Sequence, residues 1–168
     1  MDFGAEYAGY SADTTRTVPV SGKFSDRQKE VYEAVLRVLK KAIKLIIPGE
    51  TINKVNNKVD RLIENELIGL GLAKESEFKD SEKKDTIRMK YFMHGTSHFM
   101  GLDVHDVGTK DTVFKPGMVM SCEPAIYIAE EGFGIRLEND ILVTKNGQID
   151  LLADEPIEVN DIESLMRR

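Results

Sequence analysis

Apolar residues recur at steps of three or four along residues 31–46. Val31, Val35, Val38, Ala42 and Ile46 fall on one face, which predicts a helix from about 26 to 46. Ser25-Asp26-Arg27-Gln28 reads as its capping box, a Ser N-cap with Gln three residues on, and Pro48-Gly49 ends it. Thr51 can cap a second helix over 52–68, with Val55, Val59, Leu62, Ile63 and Leu67 inward and Gly69 and Gly71 stopping it. The opposite faces (Lys40, Lys41 and Lys44; Lys54, Lys58 and Arg61) read as solvated. The polar stretch 73–86 reads as a surface loop, with at most a short helical turn.

Elsewhere the period shortens to two. Residues 2–19 read as a β-hairpin turning near Ala8-Gly9. A turn between Tyr7 and Ala8 sets Asp2 directly opposite Asp13. Residues 118–147 read as a second hairpin. Alternation places Val119, Ser121, Glu123, Ala125 and Tyr127 on one face of its first arm, with Cys122 on the other face. Arg136, Glu138, Asp140 and Leu142 share a face of the return arm. A turn beside Gly132 sets Glu123 opposite Glu138. Lys145-Asn146-Gly147-Gln148 is a further turn before a short strand through Ile149, Leu151 and Leu152. Asn160 is the expected cap of a last helix, 161–168, with acids first and Arg167-Arg168 last. Helices covering one side of antiparallel strands make the fold class α+β.

With 168 residues, one domain is expected. The net charge of −6 argues against nucleic acid, whose phosphates are bound by clustered Lys and Arg. No apolar run is long enough to span a membrane, and no signal peptide is evident at the N-terminus. The single cysteine, Cys122, has no partner within the chain, so a reducing, cytoplasmic setting is the default.

The candidate chemistry lies in His94-Gly95-Thr96-Ser97-His98-Phe99-Met100-Gly101-Leu102-Asp103-Val104-His105-Asp106, which holds all 3 histidines of the chain. Two like-charge pairs, Asp2 with Asp13 and Glu123 with Glu138, are unfavourable unless a cation lies between them. Two divalent ions held among Asp2, Asp13, His98, Glu123 and Glu138 neutralise four carboxylates beside a neutral imidazole. An oxygen-rich donor set with one nitrogen suits Mn or Mg and admits Co or Zn. Two such ions roughly 3.5–4 Å apart can activate water and polarise a carbonyl, the equipment of metal-assisted hydrolysis.

The segments DFGAEYAGYSADTTRT, HGTSHFMGLDVHDVG, PGMVMSCEPAIYI and GIRLENDILVT resemble the metal-dependent aminopeptidases of the pita-bread fold, and most closely the Xaa-Pro aminopeptidase (aminopeptidase P) branch. The resemblance runs over nearly the whole chain. It implies that Asp2 is a ligand of one metal only, that Asp13 and Glu138 bridge both, and that His98 and Glu123 bind the other. It implies that His94 and His105 contact substrate and assist the tetrahedral intermediate or proton transfer, and that Arg136 shapes the substrate region. Glu123 joins His94 and His105 as catalytic. The reaction implied is release of an N-terminal residue from peptides with proline second, with manganese the usual metal.

In the family the catalytic domain begins well before the position of Asp2. The chain is therefore expected to be the C-terminal portion of that domain, with little activity alone and exposed surface that favours self-association as a homo-oligomer. The alternatives are prolidase, a methionine aminopeptidase-like enzyme and, in a different class, a non-catalytic binding module on the same fold. Ser97 before the ligand histidine fits aminopeptidase P better than the first two. Retention of all five ligand positions argues against the last.

Overall fold

The computed structural model describes residues 1–167. Four short strands, β1 (Asp2–Phe3), β2 (Glu6–Tyr7), β3 (Tyr10–Ser11) and β4 (Thr14–Thr15), form an N-terminal hairpin. Two long helices follow, α1 (Asp26–Ile43) and α2 (Ile52–Gly69), then α3 (Glu75–Phe78) and α4 (Ser81–Tyr91). The strands β5 (Phe99–Met100), β6 (Val119–Cys122), β7 (Ala125–Ile128), β8 (Phe133–Arg136), β9 (Asn139–Thr144) and β10 (Gly147–Asp150) precede α5 (Val159–Met166). The fold is α+β, and among the described residues no helix is long and apolar enough to cross a membrane.

The long helices form for the reasons their sequence supplies. The Gln28 amide donates to Ser25 Oγ at 3.2 Å, and the Ser25 amide donates to Gln28 Oε1 at 2.9 Å. That reciprocal cap satisfies two otherwise orphaned donors, and such a cap is typically worth ~1 kcal/mol. Thr51 Oγ1 accepts the Lys54 amide in the same way at the head of α2. Helix α1 stops at Ile43, three residues short of expectation, because the Leu45 and Ile46 amides turn to Ala42 and Ile43 and tighten the chain ahead of Pro48. Ile46 stays fully buried despite this. Val31, Val35, Val38, Ala42, Val55, Val59, Ile63 and Leu67 are buried, and share one core with Met120, Cys122, Ile126, Leu137 and Ile141 of the strands. Leu62 is only partly buried.

Most of the polar stretch 73–86, expected as a loop, is helical, in α3 and the first part of α4. It lacks an apolar period because α4 is held to α2 by charge: Arg88 meets Asp60 at 3.4 Å and Lys84 meets Glu64 at 2.9 Å. Helix α5 begins at Val159 behind Glu158, so Asn160 lies inside it and is not its cap; Arg168 lies outside the described residues. Leu151 and Leu152 are not part of a strand. The Asp150 carboxylate accepts the Leu152 amide at 3.0 Å and turns the chain away after β10.

The main sheet is antiparallel throughout, in the order β10-β9-β6-β5. Beyond its β6/β9 pairs the same two arms continue as β7/β8. Cys122 faces Asn139, and Ala125 faces Arg136. The register is the same on both sides of the interruption, so Glu123 falls opposite Glu138, as the turn beside Gly132 predicts. Gly132 closes that turn with φ 71°.

The first hairpin departs from its expected register. Asp2 faces Thr15 rather than Asp13, and Tyr7 faces Tyr10. Ala8 (φ 54°) and Gly9 (φ 83°) both take the left-handed conformation and form the turn, one residue later than the alternative between Tyr7 and Ala8. That pair of positive φ values is the hairpin turn whose twist matches the strands. Moving the turn by one residue changes each partner by two positions. Side chains on a strand alternate with period two, so Asp2, Asp13 and Thr15 stay on one face.

Candidate metal centre

Three separated parts of the chain meet at one end of the main sheet. The hairpin contributes Asp2 and Asp13, the glycine-flanked stretch before β5 contributes His98, and the paired arms contribute Glu123 and Glu138. With Asn56, Gly95, Ser97, His105, Lys110 and Arg136 these residues line a cavity of about 350 Å³. Ligand atoms of Asp13, His98 and Glu138 all lie within 4.8 Å of one another. His98 Nε2 is 3.5 Å from Asp13 Oδ2 and 3.6 Å from Glu123 Oε1. Asp2 stands at the rim, its carboxylate 2.5 Å from Arg136 Nη2 and 3.4 Å from Thr15 Oγ1.

His98 Nδ1 lies 3.1 Å from the Phe99 carbonyl, an acceptor only, so Nδ1 carries the proton. The Nε2 lone pair then points among the carboxylates, the tautomer a metal ligand needs. His94 Nδ1 is 2.8 Å from the Gly95 carbonyl and its Nε2 is 2.9 Å from the Tyr127 hydroxyl. The same imidazole lies 4.0 Å from Glu123 Oε2. The exposed His105 ring packs edge-on against His98, with centroids 4.2 Å apart. All eight residues singled out from the sequence therefore converge on this region.

Glu138 is 2 % exposed. Its Oε2 accepts from Thr15 Oγ1 at 2.7 Å, whereas its buried Oε1 has no partner. Burial, together with the negative Glu123 and Asp13, lifts its carboxyl to about 8 despite the Thr15 hydrogen bond. Burial raises Glu123 as well, against the pull of His94 and His98, and burial together with Asp2 raises Asp13. Asp140, also buried, is lifted to about 6 although it accepts the Asp13 amide. The carboxylates of Asp2, Asp13, Glu123 and Glu138, the last with an orphaned buried oxygen, and the His98 lone pair make a donor set that fits divalent cations.

A pH dependence follows for the metal-free protein. A carboxyl whose folded pKa is raised holds a proton that the unfolded chain gives up near its ordinary value, about 4.3 for Glu. The stability it contributes is complete below that value and is lost as pH rises to about 8 for Glu138 and about 6 for Asp140. Melting in chelator is expected to fall between pH 5 and 8 and then level off. A melting temperature rising over that range contradicts the assignment.

Several contributors escape a reading of the sequence. Thr15 bridges Glu138, Asp2 and Arg136, whose Nε donates to Thr15 Oγ1 at 2.9 Å. Asn56 on α2 accepts the Thr96 amide at 3.0 Å and steadies the histidine stretch. Tyr127 reaches His94. Alternation places Tyr127 on the Glu123 face, but nothing in the sequence singles out Asn56, because its contact is tertiary.

Residues 1–145 match the model of metallopeptidase family M24. The chain is 42% identical to the Xaa-Pro aminopeptidase of Haemophilus influenzae over 178 residues, covering 99% of this chain and 41% of that protein. It is 40% identical to the Escherichia coli Xaa-Pro aminopeptidase over 178 residues, covering 99% of this chain and 40% of that protein. The chain thus spans about two fifths of the length of these relatives. Among solved structures, a zinc-substituted E. coli aminopeptidase P in complex with product superposes with a TM-score of 0.89 at 39% identity, covering 99% of this chain and 40% of that one. The E. coli enzyme with the inhibitor Pro-Leu matches to the same extent, with a TM-score of 0.89.

Proposed function

The chain belongs to metallopeptidase family M24 and has the pita-bread fold of the aminopeptidase P structures, and from that premise we propose that its residues form the metal-holding part of an Xaa-Pro aminopeptidase catalytic domain. The observation that carries the reading is the convergence of Asp13, His98 and Glu138 ligand atoms, with Glu123 and Asp2 beside them. Asp2, Asp13, His98, Glu123 and Glu138 would hold two divalent ions, with manganese the expected metal. By the family resemblance, Asp13 and Glu138 would be shared between the ions, Asp2 would belong to one of them, and His98 and Glu123 to the other.

When bound, such ions supply Lewis acidity toward a peptide carbonyl and make water a better nucleophile. The chain's own groups do the rest. Burial holds the Glu123 carboxyl ready to take a proton, and Glu123 takes the one the attacking water loses and passes it to the prolyl nitrogen as the C–N bond breaks. His94, its ring fixed at both nitrogens by Gly95 and Tyr127, presents a rigid edge beside Glu123. His105, on the exposed side of His98, faces arriving peptide. Arg136 holds Asp2 in place and sets the positive side of the pocket.

The substrates proposed are peptides with proline at the second position. The test is a chimera in which residues 1–168 replace the corresponding part of the E. coli Xaa-Pro aminopeptidase. Metal-dependent release of the first residue from Xaa-Pro-Xaa tripeptides, and not from Xaa-Pro dipeptides, is the expected result. Release from dipeptides alone supports prolidase instead. A folded, metal-loaded chimera that cleaves neither contradicts the enzyme reading.

A further inference from the structure

We propose that Ser121 and Asp140 are positioning residues, a single cross-strand pair that ties the two ligand-bearing segments outside the sheet to the two arms whose interruption holds Glu123 and Glu138. The inference rests on the metal reading above and adds the device that assembles the site.

Ser121 and Asp140 face each other directly in the β6/β9 ladder and are 0 % and 5 % exposed. Each lies two residues from a supposed ligand on the same strand face, Ser121 from Glu123 and Asp140 from Glu138. Each also captures the main-chain amide of a further ligand. Ser121 Oγ accepts the His98 amide at 2.9 Å, and Asp140 Oδ2 accepts the Asp13 amide at 3.1 Å. The grip on the histidine stretch is reinforced: the Ser121 amide donates to the His98 carbonyl at 3.0 Å, and the Ser121 carbonyl accepts Ser97 Oγ at 2.6 Å. Ser121 Oγ also reaches Glu123 Oε1 at 3.4 Å.

A serine and an aspartate at facing, buried positions are a poor choice for sheet stability. Burying a polar group costs free energy unless it is hydrogen-bonded, and Asp140 Oδ1 remains unpartnered. Two apolar residues would pack this layer better. What they could not do is accept the His98 and Asp13 amides. Asp13 comes from a hairpin of two-residue strands and His98 from a loop, so neither backbone is fixed by a long ladder of its own. A metal site tolerates displacements of only about 0.5 Å in its ligands. The pair therefore sets two of the five supposed ligands, His98 and Asp13, relative to Glu123 and Glu138.

The test uses Ser121→Ala, Asp140→Ala and Asp140→Asn in this chain. Amide hydrogen exchange is measured without metal, and Mn affinity by titration. Ser121→Ala is expected to speed exchange at the His98 amide about tenfold or more and leave Asp13 unchanged. Asp140→Ala is expected to do the reverse. Both should weaken Mn binding at least about tenfold while exchange at the Ile63 amide in α2 stays as it was. Asp140→Asn keeps an acceptor and should restore both the Asp13 amide and most of the affinity, which a general packing defect would not do. Unchanged exchange at His98 and Asp13, or unchanged Mn affinity despite faster exchange, overturns the proposal, as does a uniform rise in exchange that includes Ile63. An unaltered chain that takes up no Mn overturns the metal reading on which the proposal rests. The exchange data then separate that failure from a failure of the pair to hold its two amides.

Discussion

Glu138→Gln is expected to abolish metal uptake and, in the same variant, to raise the melting temperature of the metal-free protein at pH 8. The two effects share one cause. Glu138 is buried beside Asp13 and Glu123, its Oε1 has no partner, and its carboxyl is lifted to about 8. Without a cation the ionised group is a liability that burial and two like charges impose. In the proposed centre the same charge would serve as a metal ligand. Glutamine keeps the shape and the hydrogen bond from Thr15 but carries no charge, so it relieves the metal-free protein and offers the ions little. The upward displacement of the pKa corresponds to a few kcal/mol at ~1.4 kcal/mol per unit, discounted for coupling to its neighbours. A protein of this length gains roughly 2–4 °C per kcal/mol, so a rise on the order of 5–10 °C at pH 8 is expected, shrinking toward nothing near pH 4. Calorimetry in chelator and in excess Mn reads both halves. Two undiminished metal sites in the variant contradict the ligand assignment, and a lower metal-free melting temperature contradicts the electrostatic account.

Gly4→Ala is expected to disrupt the site from the hairpin side. A methyl group at Gly4 would overlap the Ala12 carbonyl oxygen and lie 2.7 Å from its carbon. Both are backbone atoms, so no rotamer change relieves the contact. The arms that carry Asp2 and Asp13 must separate, and the Ala12 amide loses its 2.9 Å bond to the Ala5 carbonyl. Overpacking of this kind costs ~1–3 kcal/mol, here confined to a hairpin that adds little to the core. The helical circular dichroism should stay near that of the unaltered protein while Mn affinity drops about a hundredfold or more. Retained affinity would mean that Asp2 and Asp13 are not ligands, or that their hairpin need not be closed to supply them.

The parts of the fold that were legible in the sequence are those governed by local chemistry. Ser25 with Gln28 and Thr51 marked two helix starts, and the apolar period marked their buried faces. The second hairpin kept its expected register because Gly132 supplies an unambiguous left-handed turn residue. The first did not, because alanine at position 8 takes a conformation that residues with a Cβ rarely adopt. The faces of Asp2 and Asp13 survived the error, since a two-position change of partner preserves the alternation. Helix α4 escapes the apolar pattern because, of its described residues, only Ile87 and Tyr91, near its end, reach the core, while ion pairs to Asp60 and Glu64 hold its charged part. The carboxylates and histidines of the candidate centre stood out as chemistry-bearing residues in unusual places. Thr15 and Asn56 did not, because an uncharged side chain that grips a neighbour's backbone leaves no mark on periodicity. Ser121 and Asp140 fall between. Alternation puts them on the ligand faces, and only the tertiary structure shows which amides they hold.

If these residues assemble a two-ion centre, the chain retains metal through dialysis against trace Mn, and elemental analysis reads that retention without any assay of turnover. About two ions per chain, with a raised melting temperature, is expected. A folded chain retaining close to none, with a melting temperature indifferent to Mn, would contradict it.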